Sequence, residues 1–189
     1  FGFALRFYDL GSQSLWYDEG YSIQAALAML DGGSPVLPSG WFYSHGLLNT
    51  GFMAASMGIF GETELAARLP SVIFGALTIP LVFYFARRIG GTRVALIAAF
   101  VVTFLALEIA WSRQARMYQQ LQFFYILSLY LFYLCTQKRN NKLIILTVVS
   151  TVCAALSHTS GFSLVLVFTA YLLLINIRHI RKIASREFW

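Results

Sequence analysis

The chain contains 189 residues, of which 58% are hydrophobic and only 12% are charged. A soluble domain of this length could not bury so much apolar surface, so these values predict a protein whose main solvent is lipid. The net charge of +6 does not indicate nucleic-acid binding, because the basic residues occur in short clusters between apolar runs rather than on one face. We therefore expect an all-α, polytopic transmembrane helical bundle with no nucleic-acid partner.

The first residues, FGFALRFYDLG, resemble the end of a hydrophobic segment rather than a signal peptide. We expect residues 1–189 to be a single module from a longer membrane protein, with its first span truncated. Residues 8–68 then form a long loop that we expect to contain short interfacial helices. One helix is expected to begin at Asp18 and to end at the Gly-Gly pair that follows Asp31. The apolar segment 45–61 is too short to cross a bilayer comfortably, so we expect it to lie in the interface or across the mouth of the bundle.

Five apolar runs have the length expected of membrane helices or approach it, since about 20 residues cross a typical hydrocarbon core. They cover about 69–86, 94–111, 117–136, 143–157 and 162–177. The loops on one side of these runs carry ten basic residues, namely Arg87, Arg88, Arg93, Lys138, Arg139, Lys142, Arg178, Arg181, Lys182 and Arg186. The other side carries four, namely Arg6, Arg68, Arg113 and Arg116. The positive-inside rule therefore predicts a plasma-membrane protein whose loop 8–68 is extracytoplasmic.

The last two runs, of about 15 and 16 residues, are joined only by His158-Thr159-Ser160-Gly161. Each run covers about 22–24 Å, which is less than a full bilayer. Because basic loops flank both ends of the pair, we expect a hairpin whose polar turn is recessed below the outer surface. A turn at that depth must face protein or a water-filled cavity. His158 is therefore a candidate substrate-binding residue.

The stretch SLWYDEGYS places two carboxylates, Asp18 and Glu19, directly after Trp16 and Tyr17. Acids make up only 8 of the 189 residues, so an adjacent pair is unusual in this chain. An acid at a helix N-terminus is stabilised by free N–H groups and by the helix dipole. The alternative is a carboxylate at the membrane interface that deprotonates or orients an acceptor hydroxyl. The residues alone leave both interpretations open.

Four phrases occur in order along residues 1–136: SLWYDEGYS, WFYSHGLL, FGETELAARLPSVIFGALTIPLVFYFARRIGG and WSRQARMY. Their order and spacing resemble the C-class (GT-C) membrane glycosyltransferases, in the branch related to protein O-mannosyltransferases and the aminoarabinose transferases of lipid A. The resemblance implies a multi-span enzyme that takes a sugar from a polyprenyl-phosphate carrier on the outer leaflet. Such an enzyme transfers the sugar, usually with inversion, to a lipid, glycan or protein acceptor.

In these enzymes the first outer loop carries an essential acid in a motif that matches Asp18-Glu19 here. The resemblance therefore implies that Asp18 is the catalytic base or acceptor-orienting group, with Glu19 beside it. Arg68 lies in the same loop, and we expect it to be a structural partner of Glu62 or Glu64 rather than an interfacial anchor.

Further motif positions imply a substrate-binding set. Arg113 and Arg116 are three residues apart, so we expect them to share a helical face beside Tyr118 and to bind the departing phosphate. The alternative is that they anchor the protein to lipid head groups. His45 stands where relatives often have a His-Pro-Pro or Lys-Pro-Pro sequence lining the site, although here Gly46 follows it.

One departure from the family pattern concerns a second essential acid, which some relatives carry after the arginine motif. Here that region reads MYQQLQFF and contains no carboxylate, and Glu108 is the only nearby acid. The mechanism is therefore expected to use one acid site or to include Glu108. No spacing gives a metal signature, and a divalent metal ion at Asp18 stays open as a cofactor.

Two other functions compete with transfer. In a transporter or flippase for a lipid-linked or charged substrate, Glu108 and His158 would line a pathway through the membrane. A non-catalytic scaffold would only bind a polyprenyl lipid. The long outer loop, and the absence of a visible inverted repeat between the two halves of the sequence, favour the glycosyltransferase.

Overall fold

The computed structural model describes residues 1–138 and 140–184, and it describes the surroundings of side chains as far as residue 175. Within these ranges the chain forms helices, loops and one isolated β-bridge between Val36 and Phe42. The elements are α1 (Gly2–Phe7), α2 (Tyr17–Gly32), α3 (Leu47–Phe60), α4 (Glu64–Phe104), α5 (Ala106–Ser112), α6 (Tyr118–Gln137), α7 (Asn141–Ser157), a 3₁₀ turn (Thr159–Phe162) and α8 (Ser163–Ala184). The predicted all-α, membrane-type bundle is confirmed.

Helix α2 carries the acid pair and has the bounds that the sequence predicts to within one residue. It begins at Tyr17, and Gly33 ends it in a left-handed conformation with φ of 71°. The first turn is capped by Glu19, whose Oε2 accepts a hydrogen bond of 3.0 Å from the backbone N–H of Trp16. The capping function that the sequence left open for the pair therefore belongs to Glu19 rather than to Asp18.

Helix α3 forms in the apolar segment 45–61 and packs against α2, α4 and α7. Its N-terminus lies unusually close to two other elements. A Cβ atom at Gly46 would lie 2.9 Å from Cβ of Met117 and 3.0 Å from the carbonyl oxygen of Ser157, and the φ of 70° at this glycine also disfavours a side chain. Gly46 therefore allows His45 to lie beside the start of α6 and the end of α7.

A core of small and flexible side chains lies beneath α2. It contains Ala26, Met53, Ala54, Met57, Ala66, Ala67 and Ala115, all of them buried. Small residues let the backbones of α2, α3 and the start of α4 approach closely, and methionine fills the irregular space that remains. This core packs the middle of α2 against α3, the start of α4 and the turn that precedes α6.

Helix α4 consists of two helical parts that meet at Gly91, where φ of 78° and ψ of −177° interrupt the helix. The chain reverses there, because Ile79 on the first part and Thr103 on the second both lie beside Gly2. The predicted loop at Gly90-Gly91 is thus a single-residue turn. In the described part of the chain, one helical segment is long and apolar enough to cross a membrane by length and composition, and it lies within α4. The remaining spans stay predictions.

The predicted run 94–111 is not one helix, because it breaks at Leu105 with φ of −63° and ψ of 120°. The break leaves carbonyl groups at the end of α4 without helical N–H partners, and the guanidinium of Arg6 donates hydrogen bonds to them. Its guanidinium donates hydrogen bonds of 2.8 Å to the carbonyl of Val102 and 3.3 Å to that of Thr103. The sequence placed Arg6 among the basic loop residues, but its side chain is fully buried and holds α1 against α4 and α5.

The last two helices form a hairpin around the 3₁₀ turn Thr159–Phe162, as the sequence predicts. Helix α8 continues to Ala184, and at about 1.5 Å per residue it is about 33 Å long. The added length carries Arg178, Arg181 and Lys182, and the described apolar part of α8 is one of the shorter apolar helices, so the prediction of a short apolar run stays open. Several basic side chains used to orient the chain lie outside the described side chains, namely Arg139, Arg178, Arg181, Lys182 and Arg186.

Candidate active site

Glu19 forms the best-connected ion pair of the outer loop. Its Oε1 accepts a 3.0 Å hydrogen bond from Nε of Arg68, and its Oε2 accepts one of 3.2 Å from Nη2 of the same residue. The backbone N–H groups of Ala115 and Trp16 add hydrogen bonds of 2.7 and 3.0 Å. Both carboxylate oxygens are thus occupied by protein, and only 1% of either charged side chain is exposed.

Burial alone would raise the pKa of Glu19. The hydrogen bonds from Arg68, Ala115 and Trp16 outweigh that effect, so the pKa of Glu19 is lowered from its ordinary value. Glu19 is therefore a carboxylate at neutral pH that has no free lone pair directed toward a ligand. Arg68 also donates to the carbonyl groups of Leu10 and Gln13, so the pair connects the loop before α2, α2 itself and α4.

Arg68 therefore has the structural role that the sequence predicts, but its main partner differs from the expected one. Glu64 lies 3.6 Å from Nη1 of Arg68 and is a secondary, part-exposed partner, whereas Glu19 is the buried one. Sequence spacing favours Glu64, because it lies one helical turn before Arg68. Only tertiary packing brings Glu19 to the same guanidinium.

Asp18, the neighbour of Glu19, has opposite surroundings. Two thirds of its side chain (67%) is exposed, and its nearest charged partner is Arg116, whose Nη2 lies 3.7 Å from Oδ2. That separation permits attraction but is longer than a hydrogen bond. Within the described residues the Asp18 carboxylate accepts no hydrogen bond, so it stays available to a ligand.

Arg116 is fixed by one edge of its guanidinium. Its Nη1 donates to the carbonyl of Asp18 at 2.9 Å, to Oγ of Ser22 at 3.0 Å and to the hydroxyl of Tyr43 at 3.2 Å. Its central carbon lies 5.7 Å from the ring centre of Tyr118, which is within cation–π distance. Burial lowers the pKa of Arg116, but Tyr118, Tyr43 and Asp18 together raise it, so the group stays a cation.

Arg113 does not share a helical face with Arg116, contrary to the sequence prediction. Residues 113–117 form a turn between α5 and α6, so the two guanidinium groups diverge. Arg113 donates to the carbonyls of Arg6, Tyr8 and Asp9, at and just after the end of α1. Its position therefore indicates that it caps a helix end, whereas Arg116 faces the acid pair.

One cavity of about 350 Å³ brings together most of the predicted site. Five of its lining residues were predicted from the sequence, namely Asp18, His45, Arg116, Tyr118 and His158. The other two predicted residues, Glu19 and Arg113, line a separate cavity of about 550 Å³ on the other side of the first turn of α2. We call the first of these the site cavity. It contains one carboxylate, one arginine and two histidines.

The two histidines approach the site cavity from different elements. His45 lies in the loop before α3, with its ring centre 6.1 Å from that of Trp41 and 5.8 Å from that of Tyr43. His158 lies at the end of α7, with its ring centre 6.0 Å from that of Tyr118. The predicted recessed turn thus contributes to a cavity wall.

The tautomer of His158 follows from its hydrogen bonds. Its Nδ1 accepts a 3.1 Å hydrogen bond from the backbone N–H of Ser160. In the neutral imidazole the hydrogen is therefore carried by Nε2, which is a donor.

Sequence reasoning missed four lining residues, namely Tyr21, Trp41, Tyr43 and Met117. Each lies within four residues of a predicted site residue, but three are aromatic in a chain that is 16% aromatic and the fourth is a methionine in an apolar chain, so none was conspicuous. Tyr21 has a raised pKa because its hydroxyl is hydrogen-bonded to that of Tyr17, and it stays protonated at neutral pH. These rings add flat apolar faces with hydroxyl groups at their edges, a surface suited to sugars.

Glu108 is not part of the site cavity. Its Oε1 accepts a 2.8 Å hydrogen bond from Nε2 of Gln122, one of the residues that replaces the second acid of some relatives. Within the described residues no cluster of three or more His, Cys, Asp or Glu could hold a metal ion. The divalent ion that the sequence leaves open at Asp18 stays a prediction.

These features define a class: a helical membrane-type protein with an open polar site at one end of its bundle. The family model of the dolichyl-phosphate-mannose-protein mannosyltransferases matches residues 44–189. The chain belongs to this family, which confirms the resemblance seen in the sequence.

The chain is also 31% identical over 168 residues to an uncharacterized protein of Aquifex aeolicus (strain VF5). The match covers 85% of this chain but 33% of the relative, so the chain spans about a third of the length of that relative. No solved structure matches the chain.

Proposed function

We propose that the full-length protein is an integral-membrane glycosyltransferase of the plasma membrane. It moves a sugar from a polyprenyl-phosphate donor to a lipid, glycan or protein acceptor on the extracytoplasmic side, with inversion at the anomeric carbon. The observation that carries the proposal is the site cavity, where one unoccupied carboxylate, Asp18, lies beside a fixed guanidinium, Arg116. Family membership supports the same reaction class.

Asp18 is the group that acts on the acceptor. The acceptor hydroxyl forms a bond to the anomeric carbon while its proton passes to the Asp18 carboxylate, and the bond between that carbon and the phosphate oxygen breaks. The electrons of that bond stay with the phosphate oxygen, and polyprenyl phosphate is the leaving group. Direct displacement from the face opposite the leaving group gives inversion. Asp18 suits the role because its carboxylate is exposed and free of other hydrogen bonds within the described residues.

Arg116 is the group that binds the leaving phosphate. Negative charge grows on the bridging oxygen as the bond breaks, and a guanidinium already held in place stabilises that charge without reorganising. Its Nη1 is used by three protein acceptors, whereas Nη2 forms no hydrogen bond with the described residues and lies 3.7 Å from the Asp18 carboxylate. We infer that Nη2 faces the phosphate.

The remaining cavity residues bind and orient the donor. His158 offers an Nε2–H donor, and His45 contributes a second imidazole from the loop before α3. Tyr118 is in contact with both Arg116 and His158, and it links the phosphate side to the recessed turn. Glu19 is assigned a positioning role, because its oxygens hold Arg68 and the backbone of Ala115 rather than a ligand.

The test uses the full-length protein in liposomes and labelled polyprenyl-phosphate mannose, with membranes from cells lacking the protein as the acceptor source. Replacing Asp18 by asparagine should lower sugar transfer by about 10²–10⁴-fold, the usual contribution of a general base, while donor binding persists. The matched control is Asp31→Asn, an exposed acid at the far end of α2 that should transfer normally. Unchanged transfer by Asp18→Asn overturns the mechanism. If the wild type transfers no sugar from any polyprenyl-phosphate donor but translocates the lipid, and Asp18→Asn loses that translocation, the result supports the transporter instead.

A further inference from the structure

A second polar region lies at the other end of the bundle, between the first part of α4 and the end of α6. Two cavities of about 520 and 400 Å³ adjoin there, and Arg88 lines both of them. Arg87 lines the smaller cavity, and Lys138 lines the larger one. Tyrosines and a glutamine supply further polar edges, namely Tyr84, Tyr130, Tyr133 and Gln137. We call this pair of cavities the basic groove.

The cations of the basic groove have no anionic partner in the described part of the chain. Among the described residues, the only cations that form ion pairs are Arg68 and Arg116, which lie at the other end of the bundle. The side chains of Arg87, Arg88 and Lys138 form no hydrogen bonds with described residues. None of the residues that line the groove is acidic. Of the eight acids in the chain, those nearest to Arg88 in sequence are Glu108 and Glu64, and Glu187 lies outside the described residues. Among the described residues, these three positive charges therefore have no anionic partner and can bind an external anion.

The groove lies about one bilayer core away from the candidate active site. Arg88 follows Arg68 by 20 residues in the first part of α4, and Lys138 follows Tyr118 by 20 residues along α6. At 1.5 Å per residue, both separations are about 30 Å, the thickness of a typical hydrocarbon core. The two helices pack side by side, with the ring centre of Phe85 5.4 Å from that of Tyr130. The groove therefore opens at the depth of the head groups of the opposite leaflet.

We propose that the basic groove is a binding site for the phosphate head group of an anionic phospholipid from that leaflet. Arginine offers a planar fork that matches phosphate oxygens, and a neighbouring lysine adds a point charge. Tyrosine hydroxyls suit the boundary between acyl chains and water, and they provide donors beside the cations. Leu134 and Leu143 line the larger cavity next to Lys138, so an acyl chain can lie where the head group ends.

A bound lipid differs from the general attraction of basic residues to an anionic membrane. General attraction depends on the number of charges near the surface, and removing any one of them weakens it about fivefold. Binding in a defined pocket weakens only when the removed charge is one that contacts the lipid head group. The side chains of Arg88 and Arg93 are both exposed, but Arg88 lines both cavities, whereas Arg93 lies just beyond the reversal at Gly91 and lines neither.

The test measures lipid retention by the full-length protein with native mass spectrometry after extraction from mixed liposomes. The probes are phosphatidylglycerol, phosphatidylcholine and polyprenyl phosphate. The wild type should retain phosphatidylglycerol, and Arg88→Gln should weaken its binding by about tenfold, since a charge-assisted hydrogen bond is lost. Arg93→Gln should bind like the wild type. Circular dichroism and apparent melting temperature verify that both variants fold.

Equal losses in Arg88→Gln and Arg93→Gln would overturn the proposal in favour of general attraction. Unchanged retention in Arg88→Gln, or equal retention of phosphatidylcholine, would also overturn it. Preferential retention of polyprenyl phosphate would show that the groove holds the carrier rather than a phospholipid. No outcome depends on sugar transfer, so the result stands apart from the proposed enzymatic activity.

Discussion

Replacing Glu19 by glutamine separates the roles of the two adjacent acids. The substitution keeps the shape of the side chain but removes its charge and turns one acceptor oxygen into a donor. Glu19 accepts four hydrogen bonds, two on each oxygen. Glutamine can accept only at its single oxygen, so the donors that faced the other oxygen meet an NH₂ group instead.

The expected loss of stability follows from burial. Arg68 is 1% exposed and would lose its buried counter-ion, retaining only Glu64 at 3.6 Å. Breaking a buried ion pair by removing one partner costs about 3–5 kcal/mol. Asp18→Asn should cost no more than about 0–1 kcal/mol, because the Asp18 side chain is 67% exposed and its ion pair is long. The two neighbouring substitutions thus differ by several kcal/mol.

The assay measures the apparent melting temperature of the full-length protein in one detergent, together with sugar transfer per folded molecule. Glu19→Gln should melt several degrees below the wild type while keeping most of its activity at low temperature. Asp18→Asn should melt like the wild type and lose activity. A Glu19→Gln protein with wild-type stability and no transfer would refute the positioning role and would make Glu19 a catalytic residue.

Two further predictions follow from the same contacts. Because the folded-state pKa of Glu19 lies below its ordinary value of 4.5, its contribution to stability is complete above that pH and is lost as the pH falls through the lowered pKa. The gap in melting temperature between wild type and Glu19→Gln should therefore shrink below about pH 4.5, and a constant gap down to pH 3 would contradict this. Arg116→Gln should lower kcat/KM for the lipid-linked donor by about 10–100-fold with partial rescue by Arg116→Lys, since a charged phosphate contact is lost. Arg113→Gln should mainly lower stability, and equal kinetic effects of the two arginines would show that both contact the donor.

Much of the fold could be predicted from the sequence because local rules decide it. The bounds of α2 follow from apolar residues at helical spacing and from Gly33, which adopts the left-handed conformation that ends the helix. The break at Leu105 had no such signal, since nothing in the run of apolar residues marks it. It depends on Arg6, almost a hundred residues earlier, whose guanidinium occupies the carbonyls of Val102 and Thr103.

The sequence alone indicated the class of the protein and five of the nine residues that line the site cavity. An apolar chain with sparse, clustered charges must solvate its helices in lipid, and polar residues kept in such a chain mark places where water or substrate enters. Tertiary structure decided which polar residue has which role. Asp18 and Glu19 are neighbours in sequence, yet successive positions on a helix point about 100° apart, so one faces the site cavity and the other is buried against Arg68. A turn rather than a helix divides the arginines: residues 113–117 leave the helical path, so Arg113 donates to Asp9, just after α1, and Arg116 donates to Asp18.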